Sequence, residues 1–139
     1  MSKILFTAHA TAQGGREGHV KSDDGLIDLN LVDPSGKSNA EGSNPEQLFA
    51  AGYSACFDGA LNLIASRQKK KINSNVTADV SLQTDPQDEG FKIGVVLNVE
   101  VEGVDQTEAE ELVKQAHEFC PYSKATRGNI EVKLNVTSV

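Results

Sequence analysis

The chain has 139 residues, 38% hydrophobic, with no tryptophan, 20 acidic against 13 basic side chains and a formal net charge of -7. That length supports one domain, residues 1–139, with a real core. The acidic balance argues against nucleic acid as a partner, because phosphate binding needs a basic patch.

The one basic run, Lys69, Lys70 and Lys71, ends a predicted helix and suits the negative end of its dipole. The N-terminal stretch MSKILFTAHATA lacks the apolar run of a signal peptide and reads as a strand. Only the central helix approaches the length and apolarity of a membrane span. Its Ser54, Asp58, Asn62 and two glycines favour a soluble core. The expected compartment is the cytoplasm, with no membrane partner, and there a persisting structural disulfide is rare.

Residues 3–12 alternate, with Ile4, Phe6, Ala8 and Ala10 on one face, and predict a half-buried strand. Gly14 and Gly15 turn the chain into a weaker strand over 16–22, which places Arg16 on the same face as Val20. A third strand is predicted over 26–32, followed by a loop over 33–43. From Asn44 to about Lys69 the sequence predicts a long helix. Asn44 is its N-cap, Pro45 takes the first position and Gln47 has capping-box spacing. Apolar residues surround this helix on nearly every side, which marks a buried element and leaves a face for a second chain.

Two longer strands follow, one carrying Val76, Ala78, Val80 and Leu82 and the other Phe91 through Val101, joined by a DPQDEG turn. Thr107 is read as the cap of a second helix, with Glu110 at the capping-box position, and the helix stops at Cys120 before Pro121. A short segment leads to the last strand, with Ile130, Val132, Leu134 and Val136 on one face. The predicted class is α+β, mostly antiparallel sheet around a long central helix.

Cys56 and Cys120 are the only cysteines. Four roles compete for them: small buried hydrophobes, a structural disulfide, metal ligands together with His117, or a redox pair. A zinc site is poorly supported, since one H-x-x-C pair lacks the usual two-pair spacing. Redox chemistry needs a thiolate. Cys56 lies about three turns inside its helix, beyond reach of the dipole at the N-terminus, so a cation must come from elsewhere. Arg16 is a candidate, with Glu46 as its carboxylate partner; the other role open to Glu46 is simply to favour the helix dipole.

The blocks NPEQLFAAGYSACF and CPYSKATRGN, with GGREG near the N-terminus, strongly resemble the organic hydroperoxide resistance (Ohr) branch of the Ohr/OsmC family. The resemblance covers essentially the whole chain. Phe119 stands where valine is expected, and His19 falls in a variable strand. The resemblance implies an Ohr/OsmC-like α+β fold assembled as an intertwined homodimer. It implies a thiol-dependent peroxidase of the oxidative-stress response that reduces organic hydroperoxides to alcohols. Cys56 matches the peroxidatic cysteine and Cys120 the resolving one, while Arg16 and Glu46 match the pair that assists Cys56. No bound cofactor or metal is implied. The implied reductant is dihydrolipoamide or a lipoylated protein, itself regenerated by lipoamide dehydrogenase.

Phe49, Tyr53 and Phe57 suit a bulky alkyl hydroperoxide, and each also suits an ordinary core. Glu46 and Cys56 are ten residues apart on one helix, roughly 15 Å along its axis. An arginine held by Glu46 is therefore expected to serve the Cys56 of a partner subunit. The principal reading from another class is a non-enzymatic binding or stress-sensing module that uses the same apolar pocket.

Overall fold

The computed structural model describes residues 1–36 and 39–139. The loop expected over 33–43 includes Lys37 and Ser38, which lie outside the described residues. The chain divides into two compact units, Met1–Leu48 and Phe49–Val139.

The first unit holds a three-stranded antiparallel sheet of β1 (Ala10–Gln13), β2 (His19–Ser22) and β3 (Asp28–Asn30), in that spatial order. The strand expected over 3–12 is shorter than its pattern suggests. Residues 3–9 carry no regular structure, and Ile4, Leu5 and Phe6 are more than four-fifths exposed. Alternation makes a segment fit to pair, but among the described residues the part before Ala10 lies in no strand.

The GGREG motif is a tight 3-10 turn at Gly15–Glu17, not the start of a strand as expected. Gly14 and Gly15 adopt φ of 80° and 65°, which glycine takes without steric cost. A Cβ on Gly18 would meet the Gln13 carbonyl oxygen at 1.8 Å. The turn thus needs small residues on both sides of Arg16, and it lifts Arg16 off the sheet.

Helix α1 (Pro45–Arg67) begins as the sequence predicts. Asn44 Oδ1 accepts from the Gln47 backbone N–H at 2.8 Å. Gln47 does not complete a capping box; its side chain accepts from Ser43 Oγ at 2.6 Å. By length and composition alone α1 could cross a membrane. However, its Asp58 accepts from Ser74 Oγ at 2.5 Å, and its Asn62 donates to the same oxygen at 2.9 Å.

In the second unit β4 (Asn73–Asp85), β5 (Gly90–Glu102) and β6 (Val132–Ser138) form one sheet in that order. β4 and β5 are an antiparallel hairpin, whereas β6 joins β5 in parallel. The crossover consists of two helices, α2 (Gln106–Phe119) and α3 (Pro121–Thr126). The sequence reading has no helix over 121–126. Pro121, read there as a stop, also opens the next helix from its first position, where its missing N–H costs nothing.

The core is built at regular spacings. On α1, Tyr53, Phe57, Leu61 and Ala65 recur every four residues and are buried. They cluster with Val95, Leu97, Val99 and Val101 of β5 and with Ala109, Leu112, Val113 and Ala116 of α2. Ala51, Ala55, Gly59 and Leu63, also four apart, stay exposed on the same helix.

Helix α2 starts one residue before the expected cap. Asp105, not Thr107, is its N-cap, accepting from the Glu108 N–H at 2.8 Å. An Asp105→Ala variant should therefore lose about 1 kcal/mol of stability in urea titrations, while Thr107→Ala should change it by less than about 0.5 kcal/mol.

Candidate active site

Two constellations carry chemistry, one in each unit. In the first, the Arg16 guanidinium forks onto Glu46. Nη1 donates to Oε1 at 2.6 Å and Nη2 to Oε2 at 3.0 Å. This bidentate geometry fixes the plane of the guanidinium. The hydrogen bond to Glu46 holds the Arg16 pKa above its ordinary value, with further support from the charges of Glu46 and Asp33. The Glu46 side chain is only 14% exposed, whereas that of Arg16 is 54% exposed. The arginine therefore remains cationic, with N–H groups to spare on its open side.

The second constellation is the pair of sulfurs. Cys56 projects from the middle of α1, and Cys120 sits at the corner where α2 ends and α3 begins. Their Sγ atoms are 3.7 Å apart, Cys120 is fully buried, and both are free thiols. Covalent closure to about 2.05 Å needs a shift of under 2 Å. Burial pushes the Cys56 thiol above its usual range. The Tyr122 backbone N–H works in the opposite direction, and the neighbouring Cys120 adds to the rise. The second unit by itself thus disfavours the Cys56 thiolate.

The close approach of α3 to α1 depends on Gly52. A Cβ there would lie 2.6 Å from Tyr122 Oη and 3.1 Å from its ring. Phe49, Tyr53 and Tyr122 make a cluster of rings with centroids 5.6–6.0 Å apart. Of the three aromatics expected to line a pocket, Tyr53 and Phe57 are wholly buried in the core, and Phe49 is half-buried. A surface hollow of about 700 Å³ lies elsewhere, lined by residues such as Asn62, Lys70 and Glu102. It includes neither cysteine nor any of these aromatics, so it bears little on the thiol chemistry.

A buried polar chain runs beside Cys120. Tyr53 Oη lies 2.8 Å from Ser123 Oγ and 3.2 Å from Thr126 Oγ1, and His117 Nδ1 lies 2.8 Å from Ser123 Oγ. Ser123 and Thr126 are buried. The sequence reading considers His117 only as a metal ligand and passes over the two hydroxyls. The available signal was a tyrosine hydroxyl inside an apolar helix, which must find a partner when buried. Among the described residues, no three His, Cys, Asp or Glu side chains are grouped to hold a metal ion. Phe119, the departure from valine, has Arg67 over its ring at 5.3 Å and Lys124 at 5.8 Å.

Residues 36–135 match the family model described as OsmC-like protein. The chain belongs to the Ohr/OsmC family. Within it, the chain is 56% identical over 133 residues to organic hydroperoxide resistance protein OhrB of Bacillus subtilis, covering 95% of this chain and 98% of the relative. It is 53% identical to OhrA of the same organism, covering 98% and 99%. The crystal structure of B. subtilis OhrB superposes with a TM-score of 0.94 at 55% identity, covering 96% of this chain and 100% of that one.

Burial, followed by the charge of Arg127, holds His117 below its ordinary pKa of 6.5, against a smaller opposing effect of Glu118. The unfolded chain then binds more protons than the folded one. The stability tied to neutral His117 is complete above about pH 6.5 and is lost as pH falls through the folded pKa. Between about pH 7 and pH 5.5 the melting temperature should fall less steeply in His117→Asn than in the wild type. His19 responds in the opposite sense, its pKa being raised by Asn30 and Asp28, so the comparison is made between the two proteins at each pH.

Proposed function

We propose that this protein is a thiol peroxidase that reduces organic hydroperoxides to alcohols, a cytoplasmic defence against oxidative stress. The observation that carries the reading is the contact of two free thiols, Cys56 and Cys120, at 3.7 Å. The hydroperoxide-resistance names of its relatives support the substrate class.

The Cys56 thiolate attacks the terminal oxygen of ROOH. The O–O bond breaks, the alkoxide leaves and takes up a proton as ROH, and Cys56 becomes a sulfenic acid. The Cys120 thiolate then attacks the Cys56 sulfur. The S–O bond breaks, hydroxide departs as water, and the two sulfurs are joined. Two thiols of a dihydrolipoyl group, free or on a lipoylated protein, reduce this disulfide by exchange and are themselves oxidised to the cyclic disulfide. No bound metal or cofactor takes part.

The first step needs a thiolate, which burial in the second unit opposes. Arg16, held in a fixed plane by Glu46, is the cation that answers this need, stabilising the thiolate and polarising the O–O bond. Glu46 precedes Cys56 by ten residues, roughly 15 Å of helix rise. We therefore assign the Arg16–Glu46 pair to the Cys56 of a second subunit in an intertwined homodimer. Two observations support such a dimer. Ile4, Leu5 and Phe6 are strand-patterned yet exposed, and α1 shows an open face along Ala51, Ala55, Gly59 and Leu63. The whole chain, residues 1–139, then acts as one functional domain, with Phe49 at the half-buried rim where an alkyl group would bind and Tyr53 and Phe57 behind it.

Cys56→Ser should abolish turnover of tert-butyl hydroperoxide with dihydrolipoamide; retained turnover would refute the peroxidase reading. Cys120→Ser should consume about one equivalent of peroxide and then stall, with sulfinic acid accumulating by mass. The shared site has its own test. Mixed dimers of Arg16→Ala and Cys56→Ser chains should recover about half of the wild-type activity, because one site regains both groups. Mixed dimers as inactive as either parent would place Arg16 on its own subunit's Cys56.

A further inference from the structure

The hydrogens of the polar chain beside Cys120 can be assigned from their number. The Thr126 hydroxyl donates to the Ser123 carbonyl oxygen at 3.2 Å, so its single proton is spent. Tyr53 Oη must then donate to Thr126 Oγ1. With the Tyr53 proton committed, Oη accepts from Ser123 Oγ. With the Ser123 proton committed, Oγ accepts from His117 Nδ1. Each hydroxyl carries one proton, so the direction of the whole relay is set. His117 is its source, in the Nδ1–H form.

The relay connects three elements. Tyr53 belongs to α1, His117 to the last turn of α2, and Ser123 and Thr126 to α3. Cys120 lies at the corner between α2 and α3, three residues from both His117 and Ser123. The backbone near it is tied as well, because Arg127 Nη2 donates to the His117 carbonyl oxygen at 2.5 Å. Five hydrogen bonds thus run on both sides of Cys120, and the two made by Tyr53 anchor the corner to the helix that carries Cys56.

We infer that His117 is a positioning residue for the thiol–disulfide step, orienting through Ser123 the relay that holds Cys120 within closing distance of Cys56. This rests on the peroxidase reading only for its purpose. The geometric claim concerns the two thiols themselves and can be tested without any peroxide.

The test is the equilibrium of the Cys56–Cys120 pair with reduced and oxidised glutathione, read by mass after alkylation on full-length dimeric protein. His117→Leu and Ser123→Ala each remove a link of the relay. Each should lower the disulfide equilibrium constant about tenfold, a shift of about 30 mV toward a more oxidising potential. His117→Asn keeps an amide N–H near the position of Nδ1 and should restore the wild-type value to within about threefold. Rescue by asparagine but not leucine is the result that a merely space-filling role does not produce. If Ser123→Ala does not fold, the leucine and asparagine variants decide between them.

Equal potentials in wild type and His117→Leu would overturn the inference, as would a wild type that forms no Cys56–Cys120 disulfide. Stopped-flow consumption of tert-butyl hydroperoxide separates this from the underlying reading. A wild type that consumes none removes the peroxidase, while the glutathione equilibrium still decides for or against the relay.

Discussion

The Tyr53 hydroxyl is fully buried on the apolar face of α1, and its partners are on another element. Leaving such a group unpaired costs about 1–3 kcal/mol, so α1 and the segment that follows Cys120 can separate only at that expense. Tyr53 thus does on the polar side what Gly52 does on the steric side. Gly52 removes the side chain that would hold Tyr122 away, and Tyr53 Oη supplies the acceptor that draws Ser123 inward. The closeness of the two sulfurs follows from both, since Cys120 has little freedom once α3 is docked on α1. Regular packing of Phe57, Leu61 and Leu112 behind them makes the arrangement stiff, because a well-packed interior resists small displacements.

The thiol pair and the arginine pair make opposite electrostatic demands. Around Cys56 the surroundings are apolar and raise the cost of a thiolate, whereas Arg16 keeps a permanent charge with half of its side chain open to contact. Held in one plane by the fork onto Glu46, Arg16 stays oriented while half of its side chain remains solvated.

Much of this was legible in the residues. Asn44 and Pro45 announce the start of α1, its apolar residues announce a buried element, and two cysteines in one chain invite a redox reading. What was not legible has specific causes. Alternation over residues 3–12 reports fitness for pairing but not whether a partner strand lies in the same chain. Thr107 and Asp105 are both acceptable caps, and only the path of the chain out of β5 selects Asp105. Pro121 has two meanings, a stop for one helix and a start for the next, and the sequence displays only the first. His117 was visible, but its role depends on Ser123 lying one turn beyond a corner whose existence was not foreseen. The parallel pairing of β6 with β5 was likewise hidden, since alternation along a strand reads the same whichever way its neighbour runs.

That parallel strand has a consequence for how the protein is made. A parallel neighbour can be added only after its crossover has been traversed, and here β6 begins twelve residues beyond Cys120. Synthesis from the N-terminus lays down Cys56, β4 and β5 before Cys120. The sheet closes only once β6 has emerged. Cys56 is therefore made 64 residues ahead of Cys120, and the two sulfurs can meet only after the second has followed. A nascent chain exposed to oxidant in that interval has one thiol to lose and none with which to recover it.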